Sequence, residues 1–251
     1  MEKYAFFLDI DGTLSKSGVI HPDNVKAIKK AQELGHFVLI NTGRAYAYIP
    51  PHVLECAEFD GFVCGLGADI RVHDEQILSK NMPMEIVKRI TELFLKNNDK
   101  VGLIEGENYV YYTNPWYDIV NERKVTSPSD FDTKYKDAKI SKFTCERMNK
   151  DLLTPFLDEI VIFDQNHYFE LAQKGCNKAV GMMIAANHLK IPKERCVAIG
   201  DSINDEDMLR AAGIAVVMEN GDERMKKIAT FVTDDVKNAG VARAIEKILG
   251  L

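Results

Sequence analysis

Two aspartates, Asp9 and Asp11, directly follow an apolar run near the start of the chain. On an extended backbone, residues i and i+2 face the same side, so these carboxylates would lie next to each other. Their repulsion would raise one pKa or require a cation, and Mg²⁺ is a hard ion that prefers oxygen ligands. A surface turn at Asp9–Gly12 is the structural alternative, because Asp and Gly favour turns. An EF-hand loop is excluded, since Leu14 and Ile20 stand where it requires Gly and Glu.

A second acidic cluster, Gly200–Asp207, follows another apolar run, Cys196–Ile199. Its later acids suit the N-terminus of a helix, where negative side chains stabilise the exposed backbone amides. That explanation does not cover Asp201, which comes directly after the apolar run. We therefore predict that Asp201 is a metal ligand.

Two shorter motifs carry groups that suit a phosphate. Thr42 and Gly43 follow a third apolar run, and a hydroxyl with nearby backbone N–H groups can hold a phosphate oxygen, although ordinary turns use the same residues. Arg44 comes next, and it either pairs with a substrate or lies on the surface. Lys178 begins a predicted helix, where a cation opposes the helix dipole and a bound anion would offset that effect. The alternative for Lys178 is an ordinary solvated lysine.

Each motif stands at the end of an apolar strand or the start of a helix, in both halves of the chain. Strands and helices alternate there, which predicts an α/β fold with a doubly wound, Rossmann-like parallel sheet. Ligands of such sheets bind at the carboxyl ends of strands, so the motifs would converge in one crevice. The predicted strands are Tyr4–Ile10, His36–Ile40, Gly61–Cys64, Cys196–Ile199 and Ile214–Met218. The predicted helices begin at Pro22 (ending before Gly35), Lys178 (to about Leu189), Asp205 (to about Ala212) and Val241 (to about Leu249).

The middle of the chain has a different pattern, which predicts an inserted α+β cap over residues 81–173 and a catalytic core of residues 1–80 and 174–251. Hairpin spacing there indicates antiparallel strands. The predicted elements are helix Met84–Lys96 and strands Val101–Glu105, Tyr109–Thr113, Ile140–Glu146, Glu159–Phe163 and Tyr168–Ala172. Aromatic side chains concentrate in this segment and would either stack on a substrate ring or form the core of the cap: Tyr109, Tyr111, Tyr112, Trp116, Tyr117 and Phe143.

Composition excludes several classes of protein. The net charge of −6 over 251 residues disfavours a nucleic-acid binder. No apolar run approaches the length of a membrane span, so we expect no membrane partner. The five scattered cysteines form no CxxC pair, which indicates reduced thiols and a cytoplasmic protein. The six histidines lack metal-ligand spacing, which disfavours a zinc enzyme.

Together these motifs resemble the haloacid dehalogenase (HAD) superfamily of phosphatases, in the Cof-type branch that carries an inserted α+β cap. The segment Asp9–Leu14 is similar to the first motif of the family, Asp-x-Asp-Gly-Thr. Thr42 matches the hydroxyl of the second motif and Lys178 the lysine of the third. Gly200–Asp205 matches the fourth motif in its Gly-Asp-x-x-Asn-Asp form.

The resemblance implies Mg²⁺-dependent hydrolysis of small phosphate monoesters, such as sugar phosphates or cofactor and nucleotide phosphates. Asp9 would attack phosphorus and form an aspartyl-phosphate, while Asp11 would act as general acid and base. Mg²⁺ would bind Asp9, the backbone carbonyl of Asp11 and Asp201. Asp205 would orient Lys178 or metal-bound water. The phosphoryl oxygens would be held by Thr42, Gly43, Lys178 and Asn204.

Two positions depart from the family pattern: Leu66 stands where relatives often carry Asn, and Asn41 where Ala is usual. Two other functions on the same core stay open. A phosphomutase would also form an aspartyl-phosphate but needs a cap that shields it from water. A non-catalytic phospholigand-binding regulator would not need both Asp9 and Asp11. The sequence does not specify the substrate or the oligomeric state.

Overall fold

The computed structural model describes residues 2–73, 75–97, 100–114, 120–165 and 167–251. Its strands form an eight-stranded sheet, a six-stranded sheet and a two-stranded hairpin. The strands are β1 (Ala5–Leu8), β2 (Ser15–Lys16), β3 (Val19–Ile20), β4 (Phe37–Asn41), β5 (Gly61–Cys64), β6 (Asp69–Val72), β7 (Glu75–Ser79), β8 (Gly102–Gly106), β9 (Val110–Tyr112), β10 (Glu122–Lys124), β11 (Ile140–Glu146), β12 (Ile160–Asp164), β13 (Tyr168–Gln173), β14 (Cys196–Gly200), β15 (Ile214–Met218) and β16 (Phe231–Thr233). The helices are α1 (Pro22–Glu33), α2 (Pro51–Leu54), α3 (Met84–Lys96), α4 (Lys178–His188), α5 (Glu206–Ala211), α6 (Glu223–Lys226) and α7 (Gly240–Leu249).

The larger sheet has the order β16-β15-β14-β1-β4-β5-β6-β7 and is parallel from β16 to β5. Its central strand β1 is buried at every position, as expected for a parallel strand covered on both faces. Helices α1 and α7 pack on one face, and α4 and α5 pack on the other. This arrangement confirms the predicted doubly wound α/β fold.

The second sheet has the order β10-β9-β8-β11-β13-β12, and all of its pairs except β9–β10 are antiparallel. Helix α3 covers one face, where its apolar side pairs with a core that includes Phe143 and Tyr111. Those two aromatic residues are therefore buried in the core between this sheet and α3 rather than exposed as a stacking surface. Trp116 and Tyr117, which share the same prediction, lie outside the described residues.

The whole second sheet lies within residues 81–173, the segment that we propose as an inserted domain. The chain passes from the first sheet to the second near Lys80 and returns near Lys174. These two positions are neighbours in space, since the Lys80 ammonium donates a hydrogen bond to the Lys174 carbonyl at 2.6 Å. This contact supports boundaries near these two lysines, and the boundaries stay a prediction.

Several elements were not predicted. Strands β6 and β7 extend the large sheet antiparallel beyond β5, and the short strands β2, β3, β10 and β16 were also missed. Strand β1 ends at Leu8 rather than Ile10. None of the helices in the described ranges has the length and apolar character needed to cross a membrane.

Candidate active site

A cavity of about 910 Å³ lies between the carboxyl ends of the core strands and the second sheet. Parallel strands end at the same edge of their sheet, which explains why residues distant in sequence meet there. The core contributes Asp9, Asp11, Thr42, Gly43, Arg44 and Asn204, among others. The second sheet contributes Glu105, Lys142, Thr144, Tyr168 and Glu170, among others.

Asp9 follows the central strand β1 and is held beneath the cavity by Lys178. Its backbone N–H continues the β1–β14 pairing through Ile199, and its side chain is almost fully buried. The Lys178 ammonium lies 2.7 Å from Asp9 Oδ1. Burial raises the pKa of Asp9 well above its usual value, the nearby ammonium lowers it, and the neighbouring aspartates raise it further.

Lys178 is the first residue of α4 and is completely buried, so a purely solvated lysine is excluded. Its ammonium also contacts Asp205 Oδ1 at 2.6 Å and Asn204 Oδ1 at 3.4 Å. Burial would lower the pKa of Lys178, but Asp205 and Asp9 outweigh that effect and raise it. The lysine therefore stays protonated, and the carboxylates supply the negative charge that a helix N-terminus favours.

Asp205 is fully buried, and both of its oxygens accept hydrogen bonds. One oxygen contacts Lys178, and the other accepts from the backbone amides of Asp201 and Ser202, both at 3.0 Å. These amides fix the turn after β14 and with it the position of Asp201. Asp205 therefore orients its neighbours, and its role in the reaction stays a prediction.

Asp201 approaches Asp9 from the end of the adjacent strand β14. Single carboxylate oxygens of Asp9, Asp201 and Asp205 all lie within 4.8 Å of one another. Burial raises the pKa of Asp201 to about 7, with a further contribution from Asp205, while the Thr13 hydroxyl donates to Asp201 at 3.1 Å and opposes the shift. Such crowding of carboxylates is typical of a site for a hard cation.

Gly12 permits this close approach. Its φ is +89°, in the left-handed region, and a Cβ atom there would lie 2.4 Å from Asp201 Oδ2. The glycine of the first motif is therefore required by its backbone conformation and by the contact.

Asp11 also lines the cavity, but its environment differs from the expectation of two adjacent, similar carboxylates. The chain turns at Ile10, so the alternation of an extended strand does not apply. The Asp11 side chain is 61% exposed, and Arg44 holds both of its oxygens, at 2.6 and 3.0 Å. Arg44 also stacks on the ring of Tyr48, which fixes the guanidinium in place. The structure thus pairs Arg44 with Asp11.

The remaining predicted phosphate ligands lie around Asp9. Thr42 follows β4 and is buried, and its hydroxyl accepts a hydrogen bond from the Arg44 amide at 3.2 Å. Gly43 lines the cavity beside it. Asn204 lies on the other side, where its Oδ1 accepts from Ser202 at 2.6 Å. Thr42, Gly43 and Asn204 therefore line the same cavity as Asp9.

Two positioning residues escaped sequence analysis. Asn41 donates to the Lys178 carbonyl at 3.1 Å and so ties the end of β4 to the start of α4. Asn220 donates to the Gly12 carbonyl at 2.8 Å and thereby fixes the first motif. The presence of Asn41 in place of the usual Ala was the available signal for the first. No sequence signal indicated the role of Asn220, since a lone Asn after a strand is typical of a turn.

Leu66 adopts a left-handed backbone conformation with φ +57° and ψ +38°. Asn tolerates that region better than other non-glycine residues because its short polar side chain bonds locally. Leu66 is instead buried and packs with Ala172 and Cys176. The departure from Asn therefore exchanges a favourable local conformation for an apolar contact with β13.

The chain matches the family model of haloacid dehalogenase-like hydrolases over residues 6–245. Among curated proteins it is similar to the 5-amino-6-(5-phospho-D-ribitylamino)uracil phosphatase YitU of Bacillus subtilis, with 26% identity over 99% of this chain and 98% of the relative. It is also similar to a phosphoglycolate phosphatase of Methanosarcina mazei, with 28% identity over 98% of this chain and 96% of the relative.

Solved structures give the same result. A sugar phosphatase of HAD subclass IIB superposes with a TM-score of 0.83 and 26% identity, covering 99% of both chains. The family model covers nearly the whole chain, and its first and last matched residues lie in β1 and α7. The chain therefore belongs to the haloacid dehalogenase-like hydrolases, and it is a phosphatase that hydrolyses phosphate monoesters.

Proposed function

We propose that the chain is a Mg²⁺-dependent phosphatase that acts on small phosphate monoesters through an aspartyl-phosphate at Asp9. The observation that carries this proposal is the buried Asp9–Lys178 pair, 2.7 Å apart, in which Asp9 lines the cavity. A carboxylate there can reach an ester that enters the cavity, and the protonated lysine offsets the charge of the phosphoryl group.

The chain's own residues supply each proton and bond change. A carboxylate oxygen of Asp9 forms a bond to phosphorus as the bond to the ester oxygen breaks. Asp11, protonated and released from its ion pair with Arg44, gives a proton to that departing oxygen, and as a carboxylate it then takes one from the water that hydrolyses the aspartyl-phosphate. Lys178, Thr42 and Asn204 hold the phosphoryl oxygens, and Asp205 keeps Lys178 in place.

The residues present fit Mg²⁺. Asp9 and Asp201 offer carboxylate oxygens close to each other, whereas both oxygens of Asp205 already serve Lys178 and backbone amides. We propose that Asp9, the Asp11 carbonyl and Asp201 hold the ion, a set of oxygens that a hard cation prefers. When bound, the ion supplies positive charge that offsets the negative charge of the phosphoryl oxygens.

Removal of divalent ions tests the cofactor. Phosphatase activity should disappear in excess chelator and return when Mg²⁺ is added. Ca²⁺ should restore little of it, because its looser and higher coordination disturbs the geometry of in-line attack. The measurement is phosphate release from a chromogenic ester. Full activity in chelator would contradict the metal assignment.

Replacing Gly12 by Ala should weaken Mg²⁺ binding by at least about tenfold, because the new methyl group displaces Asp201. The matched control is Gly35→Ala. Gly35 has a similar φ of +86°, but a Cβ there meets only the Lys3 side chain, at 3.9 Å. Both variants should lose about 1 kcal/mol of stability from the left-handed conformation. Equal Mg²⁺ affinity of the two variants, measured by calorimetry, would contradict the proposed ligand role of Asp201.

The substrate class that we propose is a small phosphorylated metabolite, such as a sugar phosphate or a cofactor or nucleotide phosphate. The curated relatives support small phosphate monoesters as the class, because their names specify a phosphorylated ribityl compound, whose leaving group has no carboxylate, and phosphoglycolate, whose leaving group has one. A phosphate-release screen over a panel of esters with Mg²⁺ tests it. We also propose the cytoplasm as the compartment, supported by five cysteines that are all free thiols.

A further inference from the structure

Three charged side chains from the second sheet form a buried cluster on the cap side of the cavity. Lys142 on β11 contacts Glu170 on β13 in a short ion pair, and its ammonium lies 3.5 Å from Glu105 on β8. These side chains are 2%, 6% and 0% exposed, respectively. Sequence analysis missed them, because a charged residue in a strand ordinarily indicates a solvated face.

The cluster carries two negative charges and one positive charge. Burial would raise the pKa of Glu170, but Lys142 outweighs that effect and holds it below its usual value. Burial would lower the pKa of Lys142, but the two glutamates raise it instead. Both oxygens of Glu105 accept hydrogen bonds, from the Thr144 hydroxyl at 2.5 Å and the Ala45 amide at 3.2 Å, as expected for a carboxylate.

The cluster faces the phosphate-binding side of the cavity. Glu105 reaches the core through its bond to Ala45, one residue beyond Arg44. Glu170 lies directly over Gly43, where a Cβ atom would be only 2.9 Å from its Oε1. Asp9 and these carboxylates line one cavity, so we expect the leaving group of an ester bound at Asp9 to lie beside them.

We infer that Glu105, Lys142 and Glu170 determine specificity by presenting a net negative wall, which selects leaving groups without charge and disfavours those with a second anionic group. This inference rests on the proposed phosphatase function of the same cavity. A carboxylate on the leaving group would meet the excess negative charge in a poorly solvated space, where screening is weak.

Uncharged polar groups beside the cluster fit a leaving group with hydroxyls. The Gln165 amide bonds to Glu170 Oε2 at 3.1 Å and lines the cavity. Burial raises the pKa of Tyr168 to about 12, with a further contribution from Glu170, so that its phenol keeps its proton. Tyr168 and Thr144 line the same wall and offer hydroxyl groups to a neutral polyol.

The wild-type enzyme tests the inference with two pairs of esters matched in carbon skeleton. These are glycerol 3-phosphate against 3-phosphoglycerate, and sorbitol 6-phosphate against 6-phosphogluconate. In each pair a carboxylate replaces an uncharged group far from phosphorus. We expect kcat/KM to favour the uncharged member by at least about tenfold at low salt. Equal values within both pairs, or a preference for the anionic member, would overturn the inference.

The variant Glu170→Gln should reduce that preference severalfold. The cluster then carries no net charge, because the remaining ion pair of Lys142 with Glu105 is neutral overall. The matched control is Glu92→Gln on α3, which changes the charge of the protein equally but lies in an exposed ion pair with Lys96. Its preference should equal that of wild type. A folded Glu170→Gln enzyme with an unchanged preference would overturn the role of the cluster.

Hydrolysis of p-nitrophenyl phosphate by the same wild-type preparation reports the proposed function separately. A protein that releases phosphate from this ester but does not discriminate within the matched pairs keeps the function and loses the specificity inference. A protein that hydrolyses none of the five esters loses both. If Glu170→Gln does not fold, the wild-type preferences still decide the outcome.

Discussion

Replacing Asp9 by Asn should abolish turnover, with a loss of roughly 10⁴-fold or more, because an amide cannot attack phosphorus as a carboxylate does. The fold should survive. The substitution is nearly isosteric, and ionised Asp9 is disfavoured by its own burial, which raises its pKa. Lys178 would keep its contact with Asp205. Thermal unfolding should therefore occur at the wild-type temperature or above it.

The measurement combines steady-state rates with rapid acid quenching of the wild-type reaction. Phosphate should be trapped on a peptide that contains Asp9 in the wild type and be absent in the variant. Asp207→Asn is the matched control, since Asp207 is an exposed carboxylate two residues after the fourth motif. It should retain the wild-type rate. Hydrolysis at the wild-type rate by Asp9→Asn would instead indicate direct attack by water.

Replacing Asp11 by Asn should slow turnover by roughly 10²–10⁴-fold while leaving Mg²⁺ affinity nearly intact. The proposed metal contact of Asp11 is its backbone carbonyl, so metal binding does not use the side chain, which transfers a proton once it leaves its ion pair with Arg44. The rate should fall most for alkyl esters, because the departing alkoxide needs a proton. An aryl ester with an acidic phenol should form the aspartyl-phosphate almost as before and show an initial burst of phenol.

Asp201→Asn provides the contrast, because it should weaken Mg²⁺ binding for every ester alike. Stopped-flow detection of the phenol and calorimetry of Mg²⁺ binding distinguish the two variants. Equal loss of Mg²⁺ in both, without a burst and without dependence on the leaving group, would show that the Asp11 side chain is a metal ligand. The general acid–base assignment would then be wrong.

The parallel core and its motifs could be predicted because each depends on short-range information. Four predicted elements have the same bounds as observed ones, because the spacing of apolar residues and the flanking turn residues define where they begin and end. They are Gly61–Cys64, Ile214–Met218, Met84–Lys96 and Ile140–Glu146. The end of a parallel strand also determines where its polar residues converge. That rule predicts that Asp9 and Asp201 lie at the same edge of the sheet, and the adjacency of β1 and β14, which it does not predict, brings them together.

The missed features depend on tertiary contacts. Strands β6 and β7 are short and partly polar, and they become strands only by pairing with β5 and each other. The pairing of Arg44 with Asp11 joins two loops, so neither segment predicts it. The burial of Lys142 could not be predicted from its own segment, because the two carboxylates that make its burial possible lie on other strands.

The contact between Lys80 and Lys174 affects the loop-closure free energy of bringing Asp9 and Lys178 together. Asp9 and Lys178 are 169 residues apart in sequence, and the two crossing lysines are separated by 94 of those residues. An intervening segment whose ends already touch shortens the effective loop to about 75 residues, which saves only about 0.7 kcal/mol of loop-closure free energy. Because this dependence on length is logarithmic, the segment can lengthen or shrink greatly while the core that forms the phosphate site retains almost the same closure free energy.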